Sequence, residues 1–269
     1  VNIMSKISQI YHDYLKHKEE QGSIDRDKAV GFHASATGSC FRKQMYSYYN
    51  YSSSPKDEKS LRILRLGTVV HKDIEDAMHH YMKTSAKELM DNSVSVFSEH
   101  KIEVPELNIV GTLDIAMYNS ETQVLDIYDV KTAAAYTWQK HFGRKDNRQE
   151  NANQNYKLQL GTYGLGMQSQ LNPTKTNLHL FWYNKNTSMI RETIVHQKWI
   201  DNAFDYWTEL NELFQDYEDK FVNYLEPGIE YGVPFEDWEC KYCQYESICP
   251  STIAQRNVRK PRKPRQRRV

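Results

Sequence analysis

The chain has 269 residues and 35 basic against 35 acidic side chains, so its formal net charge is zero. With 39% hydrophobic and 26% charged residues it can bury a core beneath a polar surface, and no apolar run approaches the roughly 18 residues a membrane span needs. That excludes a transmembrane helix; with no signal-peptide pattern at its start, the sequence predicts a cytoplasmic protein without a membrane partner.

In chain order, Ile3, Ile7, Ile10, Tyr11 and Tyr14 fall at helical spacing and predict an amphipathic helix within an N-terminal unit of residues 1–30. Ser39 is the expected cap of a short helix from Cys40 to about Tyr49. Ser35, Thr37 and Ser39 before that helix, with Arg42 and Lys43 in it, offer either a phosphate-binding turn or ordinary capping. Tyr51 to Lys59, with three serines and Pro55, reads as a loop. A long helix over Leu61 to about Thr84 follows, where Gly67 marks a bend or a point of close packing. Arg62 and Arg65 lie ahead of His71 on it and are candidates for contacts to a phosphate backbone, although exposed arginines are common on helices.

The pattern then changes to period two and short apolar runs, predicting strands at Val94–Ser98, Lys101–Val104, Ile109–Tyr118 and Val124–Val130. Residues 154 to 170 return to helical spacing, Leu178–Tyr183 and Met189–Val195 form a further strand pair, and Lys198 to Tyr224 is a long aromatic-rich helix. This order predicts one α/β core over residues 31–235 and a small cysteine-bearing appendage over residues 236–258. Residues 259–269 carry seven basic and no acidic side chains, which leaves the remaining body at −7. Broken by Pro261 and Pro264, this tail is expected to be disordered and to act as a solubilising end or a nonspecific phosphate-binding arm.

The chemistry concentrates in the middle strands. Side chains two apart on a strand share a face, so Asp129 and Lys131 stand side by side. Leu125 and Ile127 precede them on that face while Val124, Tyr128 and Val130 line the other. The strand therefore reads as a central one, apolar on both faces, that delivers a carboxylate and an ammonium to a cleft. Asp114 supplies a second carboxylate. Phosphodiester hydrolysis needs a hard cation, an activated water and stabilisation of developing charge. Two aspartates suit Mg²⁺ or Mn²⁺, and Lys131 suits the water or the transition state.

Gly111-x-x-Asp114 followed by Asp129-x-Lys131 resembles the active-site signature of the PD-(D/E)XK nuclease superfamily. Gly67-Thr-Val-Val-His71 and Gln159-Leu-Gly-Thr-Tyr163 resemble the histidine and Gln-x-x-x-Tyr motifs of its RecB-like branch. The resemblance implies a restriction-endonuclease-like fold: a mixed central sheet flanked by helices. It implies a metal held by His71, Asp114, Asp129 and the Val130 carbonyl, catalytic assistance from Lys131, and Gln159 and Tyr163 bordering the active site and substrate, where they contact DNA or position catalytic groups. Glu75, one turn beyond His71, is either a supporting partner or a solvent-side charge. Asp129 stands where many relatives carry glutamate, which alters reach more than chemistry.

In a reducing cytosol, four cysteines point to metal or cluster ligation rather than disulfides. Cys240-x2-Cys243-x5-Cys249 lies far from Cys40, and this is not the paired-knuckle spacing usual for zinc. It is similar to the iron–sulfur nucleases of that branch, the AddB-type helicase–nuclease subunits and the CRISPR-adaptation exonucleases. The similarity, spanning about Phe32 to Pro250 by its motifs, implies a [4Fe–4S] cluster on all four thiols, with zinc or unligated core cysteines as the alternatives. The function implied is a divalent-metal-dependent DNA exonuclease acting on ends or single strands. Replication, recombination, repair or CRISPR adaptation are the settings, in a bacterial cell or phage-infected host, alone or with a helicase or recombination/CRISPR-adaptation partner. The rivals are a noncatalytic DNA-binding or complex-assembly subunit, whose mark would be loss of Asp129 or Lys131, and an RNA-processing nuclease.

Overall fold

The computed structural model describes residues 6–26, 31–144, 153–216, 239–240 and 242–249. The predicted continuation of the last helix to Tyr224, the boundary near residue 235 and the basic tail lie outside the described residues.

The first helix, α1 (Lys6–Arg26), differs from expectation. Leu15 and His12 are buried, but Ile7 is 78% and Ile10 59% exposed. The reason is its docking partner: α1 packs on another helix, α3 (Glu58–Thr84), with His12 Nε2 3.4 Å from Glu58 Oε1, and a helix–helix seam is too narrow to cover the whole apolar stripe. Between them lies α2 (Phe41–Tyr48), which Ser39 does not cap. The Ser39 hydroxyl donates instead to the Ala36 carbonyl at 2.7 Å, and Cys40 occupies the cap position. The start of α3 is fixed by Asp57, whose Oδ1 accepts the Ser60 N–H at 2.7 Å, three residues before the predicted start. The helix runs unbroken through Gly67. A Cβ there would stand 3.1 Å from Thr132 Oγ1, so this glycine is a packing point. A short helix, α4 (Ala86–Asp91), leads into the sheet.

Six strands form one mixed sheet: β1 (Phe32–His33), β2 (Val94–Val104), β3 (Ile109–Asn119), β4 (Val124–Ala133), β5 (Lys175–Asn184) and β6 (Ile190–Val195). β2, β3 and β4 are joined antiparallel. β4 pairs parallel with β5 through a crossover containing α5 (Ala135–Phe142) and α6 (Gln154–Leu171), and β6 completes the sheet antiparallel to β5. The two strands predicted at Val94–Ser98 and Lys101–Val104 are one strand, kinked where Glu99 adopts φ +48°.

Leu125 and Ile127 of β4, with Leu178, Leu180 and Trp182 of β5, form the inner face and are almost fully buried. α6 covers them, and α7 (Trp199–Asp216) packs on α6. Gly161 permits that contact, since a Cβ there would stand 1.9 Å from the Trp199 carbonyl oxygen. The other face of β4 is not apolar as expected. It carries Asp126 and Tyr128, and His179 stacks on Tyr128 at 4.5 Å between Asp126 and Glu192, at 3.2 and 2.8 Å. A polar, half-covered face is what an antiparallel neighbourhood permits and an all-parallel sheet does not.

Candidate active site

The site lies where the sheet forks. The β3–β4 ladder runs from Asn119 opposite Val124 to Ile115 opposite Tyr128 and stops one step short of Asp114 and Asp129. Beyond that step the start of β3 pairs with β1, while β4 continues with β5 alone. The Asp114 carboxylate spans the fork: the Val130 N–H, released from the ladder, donates to its Oδ2 at 2.6 Å. Opposed residues of an antiparallel pair share a face, so Asp114 and Asp129 belong to one face, and Lys131 follows two residues on. α3 brings His71 to the same place, with Nδ1 3.8 Å from Asp114 Oδ2 and a hydrogen bond to the Val130 backbone.

Lys131 is held from two sides. Its ammonium donates to Asp129 Oδ1 and to Gln159 Oε1, both at 3.0 Å. It also lies 2.7 Å from Asp129 Oδ2, but off the hydrogen-bonding direction, so that fully buried oxygen keeps no hydrogen-bond partner. Gln159 Nε2 in turn donates to Tyr163 Oη at 2.7 Å, one helical turn along α6. Gln159 is 8% and Tyr163 3% exposed. They therefore meet the site from within the core, through Lys131, as groups that position a catalytic side chain.

Burial dominates the electrostatics. It pushes the carboxyls of Asp114 and Asp129 up to about 6, against the opposing pull of the Val130 N–H on Asp114 and of Lys131 on Asp129. Burial also lowers His71, with Lys131 as the next cause, which keeps its imidazole neutral and available as a ligand. Two hard carboxylates beside a neutral imidazole make a donor set that fits a small divalent cation. Among the described residues the tightest acid–imidazole group lies elsewhere, at Glu75, Asp76 and His79 on α3. Lys72 already bridges its two carboxylates at 2.9 and 3.0 Å, so that group is a satisfied surface ion cluster. Glu75 is occupied there and supports no ligand of the fork.

Two further residues enter the site without having been read from the sequence. Glu99 is directly opposite Asp114 in the β2–β3 register, at a step where the ladder lapses, and its charge acts on both Asp114 and Tyr163. Its signal was the gap between two apparent strands, read as a break rather than a kink. Tyr156, one turn before Gln159, lies under the Lys131 ammonium, 4.8 Å from the ring centre.

The cysteines gather at a second place. Cys40 opens α2, the Cys243 N–H donates to the Cys240 carbonyl at 3.3 Å, and Cys249 is buried. The Cys243 thiol is pushed up chiefly by burial, and the thiols of Cys40 and Cys249 are near enough to add to that. Tyr46 of α2 packs against Tyr245 at 5.2 Å, fastening the C-terminal segment to that helix. Among the described residues none of the four is in a disulfide. Arg42 is 2% exposed and donates to Cys249 Sγ at 3.4 Å. The reading of Arg42 as a DNA contact is therefore corrected: its guanidinium faces a thiol and the protein interior. Lys43 is exposed beside the same cluster, Arg62 is exposed and 3.5 Å from Glu58, and Arg65 is half-buried.

A mixed α/β sheet with an acidic pair and a lysine at a strand fork defines a nuclease scaffold. Residues 51–250 match the model of the PD-(D/E)XK nuclease superfamily, and the chain belongs to that superfamily. No curated protein matches it. Among solved structures it is similar to SSO0001, at 17% identity over 90% of this chain and 97% of that one with a TM-score of 0.49. It is also similar to the "Putative exonuclease" of Eubacterium rectale, at 16% identity over 84% of each chain with a TM-score of 0.40. The assignment rests on the family match; no helix among the described residues is long and apolar enough to cross a membrane.

Proposed function

We propose that the protein is a divalent-metal-dependent DNA exonuclease of the RecB-like branch, acting on DNA ends or single strands in the cytoplasm, where a helicase or a recombination or CRISPR-adaptation partner supplies them. The observation that carries this reading is the fork itself. Asp114, Asp129, Lys131 and His71 come from two strands and a helix and meet where the ladder opens. His71, Asp114, Asp129 and the Val130 carbonyl would hold Mg²⁺ or Mn²⁺. When bound, the cation neutralises the scissile phosphate and makes water a better nucleophile. The chain's own part is to fix Lys131. Gln159, itself held by Tyr163, aims the ammonium past Asp129, where it can orient the water and offset charge developing on phosphorus.

In the same reading, Cys40, Cys240, Cys243 and Cys249 bind a [4Fe–4S] cluster of structural role. The test is direct. End-labelled DNA should be shortened from its ends with Mn²⁺, spared with EDTA and spared by Asp129→Asn, with RNA competitor of the same sequence without effect. Equal cleavage of RNA would move the substrate, and cleavage by Asp129→Asn would remove the fork from the mechanism.

A further inference from the structure

The two sides of the fork differ in kind. On the β2 and α3 side stand acids, Asp114, Glu99 and Glu75. On the α5 and α6 side the neighbours of Lys131 are rings and cations. Tyr156 lies under the Lys131 ammonium and 5.8 Å from Trp182, and Trp182 meets His141 at 4.7 Å and Phe142 at 5.6 Å. This cluster, centred on the buried Trp182, anchors α5 beside the site, and the Ala135 N–H, bonded to Asn186 Oδ1 at 2.8 Å, fixes the start of the helix. What α5 then presents outward is Tyr136, 72% exposed, with the Lys140 ammonium 4.9 Å from its ring centre. Lys157 of α6 carries a further ammonium, 5.5 Å from the Trp199 ring centre. Burial, then the charges of Lys140 and Lys157, drives His141 down to about 4.

A ring 72% exposed on a helix, with the Lys140 ammonium over it and beside a phosphodiester site, matches the chemistry of an unpaired strand. Each base offers a face for stacking and each linkage a negative charge. Within a duplex a paired base offers neither face, because its neighbours cover both, and only the terminal pair of a blunt end keeps an outer face. We propose that Tyr136, Lys140 and Lys157 form a rail for single-stranded DNA beside the reaction centre, Tyr136 stacking a base and the two lysines holding flanking phosphates, so that unpaired ends are admitted and blunt duplex is not. The inference rests on the nuclease reading above and adds to it the surface that selects the strand.

The experiment uses the full chain with Ca²⁺ in place of Mn²⁺, reading anisotropy of a labelled oligothymidine and of a labelled blunt hairpin. Tyr136→Ala should weaken binding of the single strand about tenfold. It should leave the hairpin unaffected and the melting temperature unchanged, since the ring is exposed, and Tyr136→Trp should restore the affinity. Lys140→Gln with Lys157→Gln should weaken the single strand and flatten its salt dependence. Equal losses on both DNAs, or no loss in Tyr136→Ala, overturn the rail. Mn²⁺ cleavage by the unaltered chain, run in parallel, separates the two readings. If the unaltered chain cleaves while Tyr136→Ala binds normally, only the rail fails. If it neither binds nor cleaves DNA, both fail.

Discussion

Asp129 carries the sharpest conflict among the residues of the fork. It is 1% exposed, it is opposed to a second carboxylate, and one of its oxygens lacks a hydrogen bond. Its carboxyl and that of Asp114 are pushed up to about 6, above the ordinary aspartate value of about 3.9 that an unfolded chain would show. The folded state therefore holds protons more tightly than the unfolded one between those values. Without added metal, stability is lowest above about pH 6 and should rise as the pH falls towards 4, the reverse of a salt-bridged aspartate. Thermal melts in EDTA at successive pH values check this, and a melting temperature that falls over that window would show that the pair is not buried as described. Activity should run the other way. Protonation removes the ligands, so cleavage in Mn²⁺ should decline below about pH 6. Saturating Mn²⁺ should reverse the stability trend as well, because the cation binds only the deprotonated pair.

At the scale of elements, the cysteine clasp and the sheet fork make separable demands on the fold. The clasp joins α2 to the segment around Tyr245, closing a loop of about 200 residues between Cys40 and Cys240, and such a link acts chiefly by restricting the unfolded chain. Cys40→Ala should lose iron and cost on the order of a few kcal/mol in denaturant melts, while the unaltered protein, purified without oxygen, should be brown with about four irons and four sulfides. Colourless protein with one zinc would sink the cluster and leave the fork intact. Much of this arrangement was legible in the sequence. Asp129 and Lys131 sharing a face follows from period two, and Gln159 and Tyr163 sharing a face follows from the helical period. What those residues do was less legible. Gln159 and Tyr163 were expected to border the site, contacting DNA or positioning catalytic groups; their burial beneath Lys131 agrees with the second, and the pattern could not choose because it shows which residues share a face and not how deeply that face is covered. Glu99 was lost to a kink that only backbone dihedrals reveal, and the short helices α4 and α5 are too brief to display a period. The exposed apolar stripe of α1 shows the opposite limit: spacing predicted a helix, but its partner decided which side was buried.

Across the whole molecule, charge is divided as the composition alone could not show. The zero net charge hides a body of −7 and a tail of seven cations at residues 259–269, which lie outside the described structure. Deleting Arg259 to Val269 should weaken single-strand binding and reduce the slope of log affinity against log salt, by about 0.7 for each phosphate the tail had neutralised. An unchanged slope would make the tail a solubility feature, with cleavage unaffected in either case. The pairing of distant parts of the chain also sets an order in time. A ribosome adding about 5–20 residues per second needs roughly 10–40 s to travel from Cys40 to Cys240. Through that interval α2 is already made, while the segment that packs Tyr245 on Tyr46 and receives the Arg42 guanidinium at Cys249 has yet to emerge. A nascent chain thus carries the Cys40 thiol and the Arg42 side chain at a surface that the later segment covers. Oxidation of Cys40 or capture by a chaperone would have its best opportunity then, and maturation of the clasp must follow synthesis rather than accompany it.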